Sequence, residues 1–202
     1  LIMVGGSGLY IDSICKGLDK IPEVLEHIKE EISEQYKIKG IEFLQKEMKE
    51  KDPVYFNEVD INNPQRLIRA LEVIYSTEKP FSSFRTKKNK KRNFNIIKIG
   101  LEMEREILYN RINQRVDIML RNGLLKEVES LIQYKDKNSL QTVGYKELFE
   151  YIDKSCTLEE ATEKIKQNTR RFAKRQITWF KKDSSTNYFC PNNLDEIIKF
   201  IG

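Results

Sequence analysis

The chain opens on four apolar residues, Leu1 to Val4, stopped by Gly5-Gly6-Ser7-Gly8 and followed by apolar positions at Leu9, Tyr10, Ile11 and Ile14. That order predicts a buried parallel strand, a tight glycine turn and a helix. From about Pro22 to Lys79 the period becomes helical, with Val24, Ile28 and Ile32, then Ile41, Leu44 and Met48, then Leu67, Leu71 and Ile74. Asp52-Pro53 and Asn62-Asn63-Pro64 mark helix starts, Asn63 serving as N-cap and Pro64 as the first helical residue. Pro80 to Asn93 reads as a loop carrying the basic run Lys87 to Arg92, either a solvated segment or a phosphate contact. The β-branched stretch Phe94 to Leu101 predicts a strand, and Glu104 to Leu120 a long helix with Ile107, Leu108, Ile112, Val116 and Met119 on its apolar side. Asn122-Gly123 stops that helix and Leu124 to Ile132 begins another. Leu140 to Tyr145 is a turn-rich link into a helix over Lys146 to Ile152. Thr157 with Glu160 forms a capping-box signature for a further long helix. Asn187 to Cys190 predicts a last strand and Leu194 to Ile201 a last helix.

These patterns describe an α/β core interrupted by an all-helical insertion. The boundaries fall at residues 1–22 and 93–202 for the core and 23–92 for the insertion.

Ile165 to Lys182 is the most two-sided stretch. At 100° per residue Ile165, Thr169, Phe172, Ala173, Gln176, Trp179 and Phe180 share one arc, and Lys164, Arg170, Arg171, Lys174, Arg175, Lys181 and Lys182 share the other. Such a face is either a solvated surface over an ordinary core stripe or a seat for something negative. Gln176 inside the apolar arc needs a polar partner. The only Trp, at the densest charge, suits stacking against nucleic-acid bases. RNA is therefore a candidate partner.

Composition narrows the rest. A formal net charge of +5 makes a phosphate-bearing partner compatible with the chain but does not require one. The three cysteines, Cys15, Cys156 and Cys190, lie far apart with no metal-ligand spacing, which reads as reduced thiols of a cytoplasmic protein. His27 is the single histidine, so a multi-histidine metal site is excluded and a nucleophile–histidine relay is disfavoured. No apolar run has membrane-spanning length. For phosphate chemistry the pieces are Ser7 in its glycine turn, Arg115 on the helix after a strand, and the basic helix. Arg111 and Arg115 share a face. GGSG alone is also what a plain strand-to-helix turn looks like, and the reaction does not follow from these residues.

Taken together, GGSGLY, DPVYFNEVDINNPQRLIRALEV, RINQRVDIML, TVGYKE and TRRFAKRQITWF resemble, in order and spacing, the tRNA dimethylallyltransferases, also called tRNA isopentenyltransferases. The resemblance runs from Leu1 to about Phe180. It implies a P-loop-NTPase-like parallel sheet core with a helical insertion for the anticodon arm. The family uses Mg²⁺ and moves the dimethylallyl group of dimethylallyl diphosphate to N6 of the adenosine next to the anticodon. By resemblance, Ser7 matches the hydroxyl beside the reacting N6 and the diphosphate, and Arg115 the arginine that grips the diphosphate. The tRNA-contacting segments it implies include Asn63, Pro64, Gln65 and Arg66; Thr142, Val143, Gly144 and Tyr145; and Arg171, Ala173, Lys174, Arg175, Gln176, Thr178 and Trp179.

The family also begins with a P-loop, GxTxxGK[ST], and soon after has an Asp that accepts the N6 proton. Both would precede Leu1, and neither occurs in these residues. The residues given therefore lack the general base and are expected to be inactive alone, as the later part of a longer chain. The tail carries no zinc-finger extension, which matches the bacterial type, and a cytoplasmic monomer is expected. Two rivals stand beside this reading: a non-catalytic RNA-binding module, and a prenyltransferase of free adenine nucleotides.

Overall fold

The computed structural model describes residues 1–86 and 91–202. Of the basic run Lys87 to Arg92, residues 87–90 lie outside the described residues. Residues 12–94 form one compact unit, and residues 1–11 with 95–202 form another.

Leu1 to Val4 forms no strand, and Leu1, Ile2 and Val4 are exposed. The expected buried strand is therefore corrected. A strand exists through its ladder, and the two strands among the described residues pair with each other. Helix α1, Gly8–Cys15, follows the turn, and the Ile11 N–H donates to the Ser7 carbonyl at 3.1 Å.

The helical unit is built as its apolar spacing requires. Helix α2, Glu26–Lys51, is broken at Gly40, where φ is 73°, a left-handed backbone that glycine adopts without penalty. Asp52 then caps α3, Pro53–Glu58, and Asn63 caps α4, Pro64–Thr77, with Pro64 at the start as expected. The core gathers Ile28, Ile32, Leu44, Met48, Tyr55, Leu67, Leu71, Ile74 and Phe81. Tyr55 meets Phe81 edge-on, with ring centroids 4.9 Å apart. Phe81 belongs to a short 3-10 turn over Phe81–Phe84.

In the other unit, β1, Lys98–Leu101, leads into α5, Arg105–Arg121. The expected strand from Phe94 is shorter than its β-branched content suggested. Its partner is only four residues long, so Phe94, Ile96 and Ile97 have no ladder and are exposed. Gly123, at φ 99°, turns the chain into α6, Leu124–Ser130, and Ile132 falls in a 3-10 turn ending at Tyr134 instead of prolonging α6. Next come α7, Tyr145–Ile152, and α8, Leu158–Phe180. The capping box of α8 is reciprocal: the Glu160 N–H donates to Thr157 Oγ1 at 3.2 Å, and the Thr157 N–H donates to Glu160 Oε2 at 2.8 Å. Strand β2, Thr186–Phe189, lies parallel to β1 with Lys98 opposite Thr186 and Leu101 opposite Phe189. Helix α9, Leu194–Ile201, closes the chain. The sheet is fastened at its edge by Lys98 Nζ, which donates to Asp183 Oδ2 at 2.7 Å. That bond, with two more from Ser185, holds the Asp183 carboxyl well below the usual carboxylate range.

The core of this unit joins Val116, Leu124, Val128, Leu148, Phe149, Ala161 and Ile165. Only the first half of α8 takes part. Phe172 is 46% exposed and Trp179 41%. The apolar arc of α8 is therefore a core stripe as far as Ile165 and only partly covered beyond it.

Candidate RNA and diphosphate site

The end of α8 is where two of the sequence-predicted groups, the GGSG turn and the Gln176–Trp179 pair, meet. Gln176 and Trp179, one turn apart on the same arc, both reach the GGSG turn. Gln176 Nε2 donates to the Gly6 carbonyl at 2.9 Å. A methyl group added at Gly6 would lie 2.1 Å from Gln176 Nε2, and one at Gly8 would lie 2.2 Å from the Trp179 indole nitrogen. Both glycines are thus needed for close approach. Ser7 between them is exposed.

The basic arc is narrower than its sequence suggests. Lys164 pairs with Glu150 at 2.5 Å, Lys181 with Glu102 at 2.5 Å, and Arg170 Nη1 donates to Asn113 Oδ1 at 2.6 Å. These charges tie the unit together, and the Glu150 and Glu102 carboxylates raise the two lysine pKa values. Lys166, off that arc, bridges Asp117 and Glu163 at 2.9 Å each, which raises its pKa too. Among the described residues no carboxylate pairs with Arg171, Lys174, Arg175 or Lys182. Arg175 stacks over the Phe172 ring at 5.6 Å, which keeps its guanidinium plane on the exposed face. The Thr178 hydroxyl is used within the helix, donating to the Lys174 carbonyl at 2.9 Å, and Ala173 is half-buried.

Arg115 lies on the exposed side of α5, with no carboxylate partner among the described residues. Arg111, one turn earlier, points Nη1 at Met103 Sδ at 3.7 Å. A shallow polar depression of about 600 Å³ lies beside the same helix, lined by Glu106, Tyr109, Asn110, Asn113, Glu163 and Arg170.

The TVGY link is locked to α8 by a residue that sequence reasoning missed. Glu147 is only 2% exposed. Its Oε2 accepts from the Gly144 N–H at 2.8 Å, and its Oε1 accepts from Asn168 Nδ2 at 2.6 Å. The only local signal was a Glu three residues after a glycine. Gly144 takes φ 103°, Tyr145 donates its phenol to Glu127, and Thr142 and Val143 are exposed. The Glu127 hydrogen bond raises the Tyr145 pKa. In the helical unit, Asn63 Oδ1 accepts from the Arg66 N–H at 3.3 Å, and Gln65 and Arg66 are exposed on the first turn of α4.

Among the described residues no three or more His, Cys, Asp or Glu side chains are grouped so as to hold a metal ion. Among the same residues no helix is long and apolar enough to cross a membrane.

A family model described as IPP transferase matches residues 1–183. The chain belongs to the IPP transferase family. Similar members include the tRNA dimethylallyltransferase of Flavobacterium johnsoniae, 49% identical over all of this chain and 67% of its own length. That of Flavobacterium psychrophilum is 53% identical over 93% of this chain and 63% of its own. The chain thus spans about two thirds of the length of the curated IPP transferases it matches. Among solved structures, the full-length tRNA isopentenylpyrophosphate transferase of Bacillus halodurans covers 96% of this chain and is itself covered for 61%, at TM-score 0.56 and 35% identity. A eukaryotic dimethylallyltransferase described as acting on tRNA covers 96% of this chain, which covers 54% of it, at TM-score 0.73 and 23% identity; it bears on the fold alone. The expected α/β class with a parallel sheet, and the expected family, both stand.

Proposed function

We propose that the full-length protein transfers the dimethylallyl group of dimethylallyl diphosphate to N6 of the adenosine next to the anticodon of a tRNA, as a monomer in the cytoplasm. In this reaction the N6–carbon bond forms and the allylic C–O bond breaks. The bonding pair leaves with diphosphate, and one N6 proton is lost to a base that the family resemblance puts before Leu1. The observation that supports this reading most is the seating of the GGSG turn on the basic helix through Gln176 and Trp179. It brings a phosphate-type turn and uncommitted cations into one unit.

Each group then has a role. The α1 N-terminus and the Ser7 hydroxyl face the diphosphate and the incoming N6. Arg115 takes up charge as it builds on the leaving oxygen. Arg171, Lys174 and Arg175 track RNA phosphates, and the Phe172 and Trp179 faces give bases a surface to stack on. The adenosine is extruded from its stack to reach the turn. Asn63 to Arg66, in the helical insertion proposed over residues 23–92, and Thr142 to Tyr145 hold further parts of the anticodon arm.

The decisive experiment assays the full-length gene product, with whatever sequence precedes Leu1, on an anticodon stem-loop and on AMP. N6-dimethylallyladenosine formed in the stem-loop alone supports the proposal. Transfer to AMP alone would make the protein a free-nucleotide prenyltransferase, and binding without transfer would make it an RNA-binding module.

A second measurement addresses the basic face. The double variant Arg171→Glu, Arg175→Glu is expected to weaken stem-loop binding at least about tenfold at physiological salt. The slope of log affinity against log salt should shallow by about two. An unmoved slope would make the arc a solvated surface only.

A further inference from the structure

Helix α8 carries the proposed RNA-facing cations, yet its Gln176 and Trp179 side chains are turned on the protein itself. The Gln176 amide nitrogen already donates to the Gly6 carbonyl at 2.9 Å. The Trp179 indole lies so close over Gly8 that even a methyl group there would have nowhere to go. Gln176 and Trp179 are three residues apart on one helix face and meet the residues on either side of Ser7. Ser7 is therefore fixed from both flanks, while its own side chain is exposed. Its carbonyl is committed as well, accepting from the Ile11 N–H at the start of α1. The turn is thus held at Gly6, Ser7 and Gly8 by contacts that leave the Ser7 hydroxyl itself exposed.

We propose that Gln176 and Trp179 are positioning residues that clamp the GGSG turn and so set where the Ser7 hydroxyl stands, in place of a direct RNA contact by the Gln176 amide. The clamp explains why glycine occurs on both sides of Ser7. Gly6 leaves room for the Gln176 amide and Gly8 for the indole, and neither has a left-handed φ that would account for glycine on conformational grounds. It also explains a polar residue inside an apolar arc: Gln176 is the donor to the Gly6 carbonyl of the turn. That Ser7 is a reacting-site hydroxyl rests on the transferase reading; the clamp itself does not.

The test compares Gln176→Leu, Gln176→Glu and Gly6→Ala in the full-length protein. Leucine fills similar space with no donor. Glutamate, when ionised, sets an acceptor against the Gly6 carbonyl, and when protonated regains a donor. The alanine at residue 6 pushes away the Gln176 amide, a flexible end that can swing aside, so it breaks the same bond from the other partner. Two readouts are taken. Hydrogen exchange over residues 5–11 reports the clamp with no need for turnover, and the Ile11 amide should lose about tenfold in protection in Gln176→Leu and Gly6→Ala. The transfer rate at saturating stem-loop and dimethylallyl diphosphate should fall between about 10- and 100-fold in both, because a displacement near 1 Å is enough to cost that much. Stem-loop affinity should stay close to that of the unaltered protein. Gln176→Glu should recover rate, relative to the unaltered protein, as pH falls through the glutamate's own titration, and Gln176→Leu should not. Lost stem-loop affinity with unchanged exchange and unchanged saturated rate would overturn the inference and make Gln176 an RNA contact. Unchanged exchange together with unchanged rate and affinity would overturn it too. If the unaltered protein transfers nothing, the transferase reading fails while the exchange data still decide the clamp.

Discussion

Replacing Arg115 by alanine in the full-length protein is expected to slow dimethylallyl transfer by about two to three orders of magnitude while leaving tRNA affinity nearly intact. Timing sets the size of the effect. Diphosphate gains charge on its bridging oxygen only as the allylic bond breaks, so a cation placed there stabilises the transition state more than the bound substrate. Arg115 suits this role because α5 holds it on an exposed face and no carboxylate among the described residues neutralises it. Its planar fork can meet two phosphate oxygens at once, which lysine cannot, so Arg115→Lys should recover only part of the rate. The measurement is single-turnover transfer to a stem-loop at saturating dimethylallyl diphosphate, with stem-loop binding followed in parallel. A rate equal to that of the unaltered protein would take Arg115 out of the site. Equal losses in rate and stem-loop affinity would instead mark it as one more phosphate contact along the RNA.

What the sequence disclosed about this region depended on the range of the interaction. Caps are local, so the partners of Asn63 and Thr157 three residues away were legible from spacing alone. Helical period told which residues of α8 share an arc but not what covers it. Phe172 and Trp179 obey the same rhythm as Ile165, and only Ile165 finds a core. Leu1 to Val4 shows the same limit for strands, since composition marks the tendency and pairing makes the strand. Charge patterning likewise could not separate committed from free cations. Lys181 and Arg175 read alike in the sequence, and Glu102, far away along the chain, distinguishes them. Glu147 was invisible for the same reason, because half of its meaning lies in Asn168 on another helix. The family motifs named candidate site residues where periodicity could not, yet they labelled Gln176 by its neighbourhood and said nothing of its bond to Gly6.

The helical unit offers the other large effect, on stability. Asp52 is 1% exposed and carries three hydrogen bonds on one carboxylate. Oδ1 accepts from the Tyr55 N–H at 3.0 Å and from Ser82 Oγ at 2.8 Å, and Oδ2 accepts from the Ser82 N–H at 2.7 Å. One side chain thus caps α3 and fastens the turn after α4, beside the Tyr55–Phe81 ring contact. Asp52→Ala removes the cap and strands buried donors on both segments at once, for a loss of about 3 kcal/mol. In a unit of this size that should lower its midpoint by roughly 10–20 °C. Ser82→Ala deletes a single hydroxyl donor and should cost only about 1 kcal/mol. Hydrogen exchange separates this effect from general loosening. The Tyr55 and Ser82 amides should exchange on the order of 100-fold faster in Asp52→Ala, with the Ile11 amide beside the glycine turn unchanged. A midpoint and exchange pattern equal to those of the unaltered protein would mean that water replaces the carboxylate at no cost, and that the packing of Tyr55 and Phe81 alone fixes the turn.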